Sequence, residues 1–182
     1  MKAIKFLLSI LFLFSGASFA QDEVTKHPGY VDFGTFDGLY DPDQYTEINI
    51  EGALLKLVSN ATQEDAELSS MLNELKLIKV YNFNVKDQKD TDVKEKIERI
   101  TKKLSSEKWE RIVKVKDKGE DVGIYIKYSS DKIAGLTVLA QEKSGEASFI
   151  NIVGHIDLKA ISKLSDKFNI PELNNINNNK KK

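Results

Sequence analysis

The sequence predicts an α+β domain, a largely antiparallel sheet of about six strands with helices packed on one face. Two observations carry this. From Trp109 onward, the apolar runs WERIVKV, VGIYIKY, IAGLTVLA and ASFINIVGHI are separated by short polar turns, which favour antiparallel hairpins. Upstream, two further strand-like runs alternate with stretches whose apolar residues recur at helical spacing.

Residues 1–20 come first and read as an address. Lys2 and Lys5 precede an apolar run from Phe6 to Phe14 broken only by Ser9, and Ser18-Phe19-Ala20 offers small residues at both recognition positions. That is the layout of a secretory signal peptide with cleavage expected after Ala20. The run is too short to cross a bilayer, which takes about 20 apolar residues. Residues 21–42 read as an N-terminal arm. Phe33, Phe36 and Tyr40 sit at i, i+3 and i+7, so a short helix would place them on one side, weakened by Gly34 and Gly38. The arm is expected to dock its rings on the body. Asp37, Asp41 and Asp43 lack the glycine and closing glutamate of a calcium loop.

Residues 43–172 are expected to form a single domain. YTEINI, 45–50, alternates Thr46, Ile48 and Ile50 with polar residues, as a strand does. ALLKLV followed by QEDAELSSMLNEL reads as helix, its Leu68, Met71, Leu72 and Leu75 forming a core stripe. LKLIKVYNFNV, 75–85, returns to strand. In DTDVKEKIERITKKL, Val93, Ile97, Ile100 and Leu104 share a face, and Asp92 with Glu95 resembles a capping box. Its Glu95–Arg99 and Glu98–Lys102 pairs read as a solvated outer face. After the four strands, DLKAISKLSDKF aligns Leu158, Ile161, Leu164 and Phe168 on one helix face, with Asp157 as N-cap. Residues 173–182 are an Asn/Lys-rich tail without apolar period and read as disordered.

Four stretches, HPGYVDFG (27–34), INIEGALLKLV (48–58), GEDVGIYIKY (119–128) with IAGLTVL (133–139), and FINIVGHIDL (149–158), together resemble the bacterial family of domain of unknown function 4252. The resemblance covers roughly residues 27–168. It implies a small exported protein in a Gram-negative envelope and brings no activity, cofactor or catalytic residue. One departure is His155, where the family pattern often has an acidic residue before the Ile-Asp.

Composition narrows the chemistry. The chain has no cysteine, which removes disulfides, thiolate metal sites, cysteine nucleophiles and lipidation at a cleaved N-terminal cysteine. Its formal net charge of −1 carries no concentrated basic footprint, so no nucleic-acid partner is expected. No G-x-S-x-G, P-loop or G-x-G-x-x-G occurs, and His27 and His155 are the two histidines. No cofactor, metal or catalytic residue is assigned. Gly154 is expected to let the last strand bend or approach a neighbour, and His155 to be a strand-end side chain.

Strand alternation leaves a question about the second sheet face. If Ile48, Ile50, Val122, Ile124, Ile126, Leu136, Val138, Ile150 and Ile152 face the helices, the other face carries Tyr81, Phe83, Tyr125, Leu139, Phe149, Val153 and His155. Lys127, Thr137 and Asn151 stand among them. Apolar surface of that extent marks a contact site unless the arm covers it. The expected function is that of an exported, soluble, non-enzymatic envelope protein, periplasmic or extracellular and not a lipoprotein. It would bind another envelope protein or itself, with no transmembrane span after signal removal. The alternatives are a carboxylate-based hydrolase and a carrier of a small apolar ligand.

Overall fold

The computed structural model describes residues 23–117 and 119–157. The signal peptide, the 158–168 helix and the tail expected from the sequence lie outside the described residues. Six strands, β1 (Tyr40–Glu51), β2 (Leu75–Val85), β3 (Glu110–Asp117), β4 (Glu120–Ser129), β5 (Lys132–Gln141) and β6 (Glu146–Ile156), form one sheet in the order β1-β2-β6-β5-β4-β3. Every neighbouring pair is antiparallel. β3 to β6 follow one another through hairpins, as the short polar connections predict. The last of these six strands in the chain, β6, nevertheless sits inside the sheet between β2 and β5. β1 begins earlier than the alternation suggests, at Tyr40, with a register shift between Tyr40 and Tyr45 whose rings stack 4.2 Å apart.

Helices α1 (Gly52–Ala61) and α2 (Ala66–Glu74) cover one face. The sequence reads as continuous helix here, and two side chains explain the break. Thr62 Oγ1 turns back to donate to the Val58 carbonyl, 3.0 Å away, while Asp65 accepts the Leu68 N–H as N-cap of α2 at 3.1 Å. Ser59 and Ser69 then tie the two helices at 2.9 Å between hydroxyls. Leu55, Leu68, Met71 and Leu72 pack on Ile78, Ile124, Leu136, Val138, Ile150 and Ile152. Full burial of each such side chain contributes roughly 1.5–3 kcal/mol.

Helix α3 (Asp90–Ser106) corrects the expectation that all helices share a face: its Val93, Ile97, Ile100 and Leu104 belong to the cluster on the opposite side. The topology explains this. β2 and β3 are separated by β6, β5 and β4, so the chain must cross the sheet to begin the hairpin series. Four strand spacings are about 19 Å, and the 17 residues of α3 rise about 25 Å. One helix therefore bridges the sheet on the face that α1 and α2 leave open. The proposed cap also shifts by a turn. Asp92 lies inside the first turn of α3, where its carboxylate complements the helix dipole and pairs with Lys89 at 2.7 Å.

Gly154 behaves as its position predicts. Its φ is 128°, and a Cβ there would lie 2.5 Å from the Glu74 carbonyl oxygen, so β6 crosses the start of β2 in backbone contact.

Candidate functional site

The aromatic sheet face is not an open surface; of the two alternatives the sequence left, an exposed contact site and a covered face, the residues stand as a covered face. Tyr81, Phe83, Tyr125, Leu139, Phe149 and Val153 are all buried, and His155 is half-buried. Two elements cover most of them. α3 lies across one half, where Thr101 Oγ1 and the Tyr125 hydroxyl are 3.0 Å apart. The arm lies over the other half as extended chain, without the expected helix through Phe33 and Phe36. Phe33 meets Tyr81 and Phe149 edge-on at 6.1 and 5.8 Å, and Phe36 lies 4.8 Å from each of the same two rings. Edge and tilted contacts are the favoured geometry for aromatic quadrupoles.

Polar groups in this apolar layer give the arm one position. Asn151, fully buried on β6, accepts the Val31 N–H through Oδ1 at 2.9 Å. Its Nδ2 donates to the Gly29 carbonyl at 2.9 Å and contacts Thr137 Oγ1 at 3.1 Å. Gly29 and Gly135 permit the backbone approach this requires, since a Cβ at Gly29 would fall 1.9 Å from the Ala134 carbonyl oxygen. At the other end of the arm, Lys96 of α3 donates to the Thr35 carbonyl at 2.7 Å and stands 4.4 Å from the centre of the Phe36 ring. Lys96 as a whole is only 8% exposed, and burial followed by Arg99 lowers its pKa. The solvated face read from the sequence comprises the Glu95–Arg99 and Glu98–Lys102 pairs and leaves Lys96 without a role. Its spacing from Val93 and Ile100, i+3 and i+4, was the signal.

Among the described residues neither histidine joins a nucleophile or a metal set. His27 Nδ1 accepts the Gly29 N–H at 3.2 Å, and burial, then Lys76, lower its pKa below the ordinary 6.5. His155 Nδ1 pairs with a Glu74 carboxylate oxygen at the edge of the α2–β2 junction. Among the described residues no cluster of three or more His, Asp or Glu could hold a metal ion. Two shallow grooves beside α3, about 180 and 260 Å³, are lined largely by charged side chains, including Glu98, Lys102, Arg111, Lys114, Lys116 and Asp121. Small apolar-ligand sites are typically larger and mostly apolar.

With both faces occupied, the sheet meets solvent along its edges. β1 and β3 end the strand order, and most of their residues are exposed. On β3, Arg111, Lys114 and Lys116 share the α3 face, opposite Tyr125, Gly123 and Asp121, whereas Val113 and Val115 share the other, opposite Ile124 and Val122. Val115 leaves 37% of its surface in water.

These features define an α+β scaffold with two filled faces and, among the described residues, two unpaired strand edges. Residues 39–164 match the family described as Domain of unknown function (DUF4252), and the chain belongs to that family. Most of the arm, including Gly29, Val31, Phe33 and Phe36, precedes the matched segment. No curated protein and no solved structure matches the chain.

Proposed function

We propose that this chain is an exported envelope protein that works by binding, through addition of a strand to its sheet edge, and carries out no bond-making chemistry. The observation that supports it most is the edge strand β3, which presents exposed backbone flanked by a cationic row and by the partly exposed Val115. Edge strands supply main-chain hydrogen bonds for affinity, and their alternate side chains supply specificity. Export rests on the layout of residues 1–20, and a periplasmic or extracellular location follows from it. The absence of cysteine suits a protein made without disulfide or lipid attachment.

Photo-crosslinking in living cells tests this. A crosslinker placed at Lys114, on the β3 edge, is expected to give a discrete adduct in the envelope fraction. The same group at Lys56, exposed on α1, is expected to give none. Adding Val115→Glu to the Lys114 probe should abolish the adduct while the circular dichroism of the purified chain stays unchanged. Equal adducts from both positions, or none from Lys114, would overturn the reading.

A further inference from the structure

The two edges that no described residue pairs differ in charge, and their strands run in opposite directions. Five successive antiparallel pairings separate β1 from β3, so the strands are antiparallel to each other. If a second copy is laid alongside by continuing the sheet, β3 of one copy meets β1 of the next in antiparallel sense. We infer that the partner of the β3 edge is the β1 edge of a second copy of this chain, giving head-to-tail association. This rests on the strand-edge reading above and names its partner.

The side chains agree on both faces. β1 contains Asp41, Asp43, Glu47 and Glu51 and no basic residue. Its continuously paired part runs from Tyr45 to Glu51, beyond Pro42 and the register shift. Glu47 and Glu51 stand opposite Tyr81 and Leu77, on the sheet face that carries Arg111, Lys114 and Lys116 at the far edge. Ile48 and Ile50 stand opposite Val80 and Ile78, on the face that carries Val113 and Val115. Joining β1 to β3 thus sets an acidic row beside a basic row on one face and continues an apolar row on the other. Opposite charges and β-branched pairs stabilise cross-strand neighbours, and like charges destabilise them.

The same rows select against the symmetric alternatives. Pairing β1 with β1 places Glu47 and Glu51 against their own copies, and pairing β3 with β3 confronts Arg111, Lys114 and Lys116 with themselves. Charged edges commonly deter association. Here each edge has a uniform sign along this face, so deterrence applies to like edges and not to the unlike pair. A contact between different patches does not close on itself as a two-fold dimer does, so association continues beyond two copies.

Charge reversal with exchange tests this by sedimentation velocity, using the chain purified as expressing cells process it. The unaltered chain is expected to show mass rising beyond a dimer with concentration, more so at low salt. E47K/E51K and K114E/K116E should each associate roughly tenfold more weakly or worse. An equimolar mixture of the two variants should recover association, because each then offers the edge the other lacks. The inference is overturned by a chain that stays monomeric, by reversals without effect, or by a mixture that does not recover. If the chain is monomeric yet the Lys114 probe still captures another protein, head-to-tail pairing fails and strand-edge binding stands. If both experiments fail, the edge has no binding role.

Discussion

Gly29 and Gly135 touch through their backbones: a Cβ on Gly135 would lie 2.4 Å from Gly29 Cα and 2.6 Å from its carbonyl oxygen. One glycine is in the arm and the other in a central part of the sheet, so the arm's seat depends on hydrogen at both positions. Gly135→Ala should lift the arm, destabilising the fold by about 1–3 kcal/mol through overpacking. It should also make residues 23–39 sensitive to limited proteolysis. Unchanged urea midpoint and unchanged cleavage would show that the arm's placement does not rely on this contact.

Asn151 is the polar counterpart of that contact. Asn151→Leu keeps much of the volume but leaves the Val31 N–H and the Gly29 carbonyl without the partner seen here, each about 1–3 kcal/mol when buried and unpaired. Thr137→Val removes only one side of a hydroxyl–amide contact and should cost about 1 kcal/mol. Urea denaturation of the two variants should rank them in that order.

The buried aromatic face makes a different demand from an exposed one. Phe149 is fully enclosed beneath Phe33 and Phe36, so Phe149→Asp should unfold the domain rather than merely remove a partner. Tyr125→Phe, which loses only the Thr101 contact, should fold and lose about 0.5–1.5 kcal/mol. A native circular dichroism spectrum for Phe149→Asp would contradict the burial described.

Acid should loosen the arm through His27. Its neutral Nδ1 accepts the Gly29 N–H, and its pKa is held below 6.5 by burial and by Lys76. The unfolded chain therefore binds the proton more readily, and stability rises with pH across this interval. The contribution is complete above 6.5 and is lost as pH falls through the lowered value. Thermal unfolding of the unaltered chain should lose more between pH 7.5 and pH 5, two arbitrary buffer points spanning roughly the histidine range, than His27→Asn loses. Identical losses would assign the acid sensitivity to other groups.

Much of the architecture was legible in the residues because strands advertise both faces at once. Alternation places Ile124, Ile126, Leu136, Val138, Ile150 and Ile152 on one face and Tyr81, Phe83, Tyr125, Leu139 and Phe149 on the other, and the two clusters divide in that way. A helical stripe says less. Val93, Ile97, Ile100 and Leu104 declare that α3 buries one side without saying which side of the sheet receives it; strand order decides that, and no local pattern records strand order. Asn151 and Thr137 were noted as polar residues on an apolar face but not as the arm's clasp, because their partners lie 120 and more residues away or on a neighbouring strand. The edge rows of β1 and β3 become visible as surfaces only when those strands are known to be outermost.

Because β6 is both the last of these strands in the chain and the one that joins β1-β2 to β5-β4-β3, the sheet consists of two separate halves until residues 146–156 have been made. Phe33 and Phe36 have Tyr81 of β2 as a neighbour and complete their seat only when Phe149 and Asn151 arrive beside them. Such distant closures slow folding, and a nascent chain stopped before residue 146 has no strand to complete the sheet. A polypeptide wired in this way stays threadable until β6 is made and commits to its shape only then.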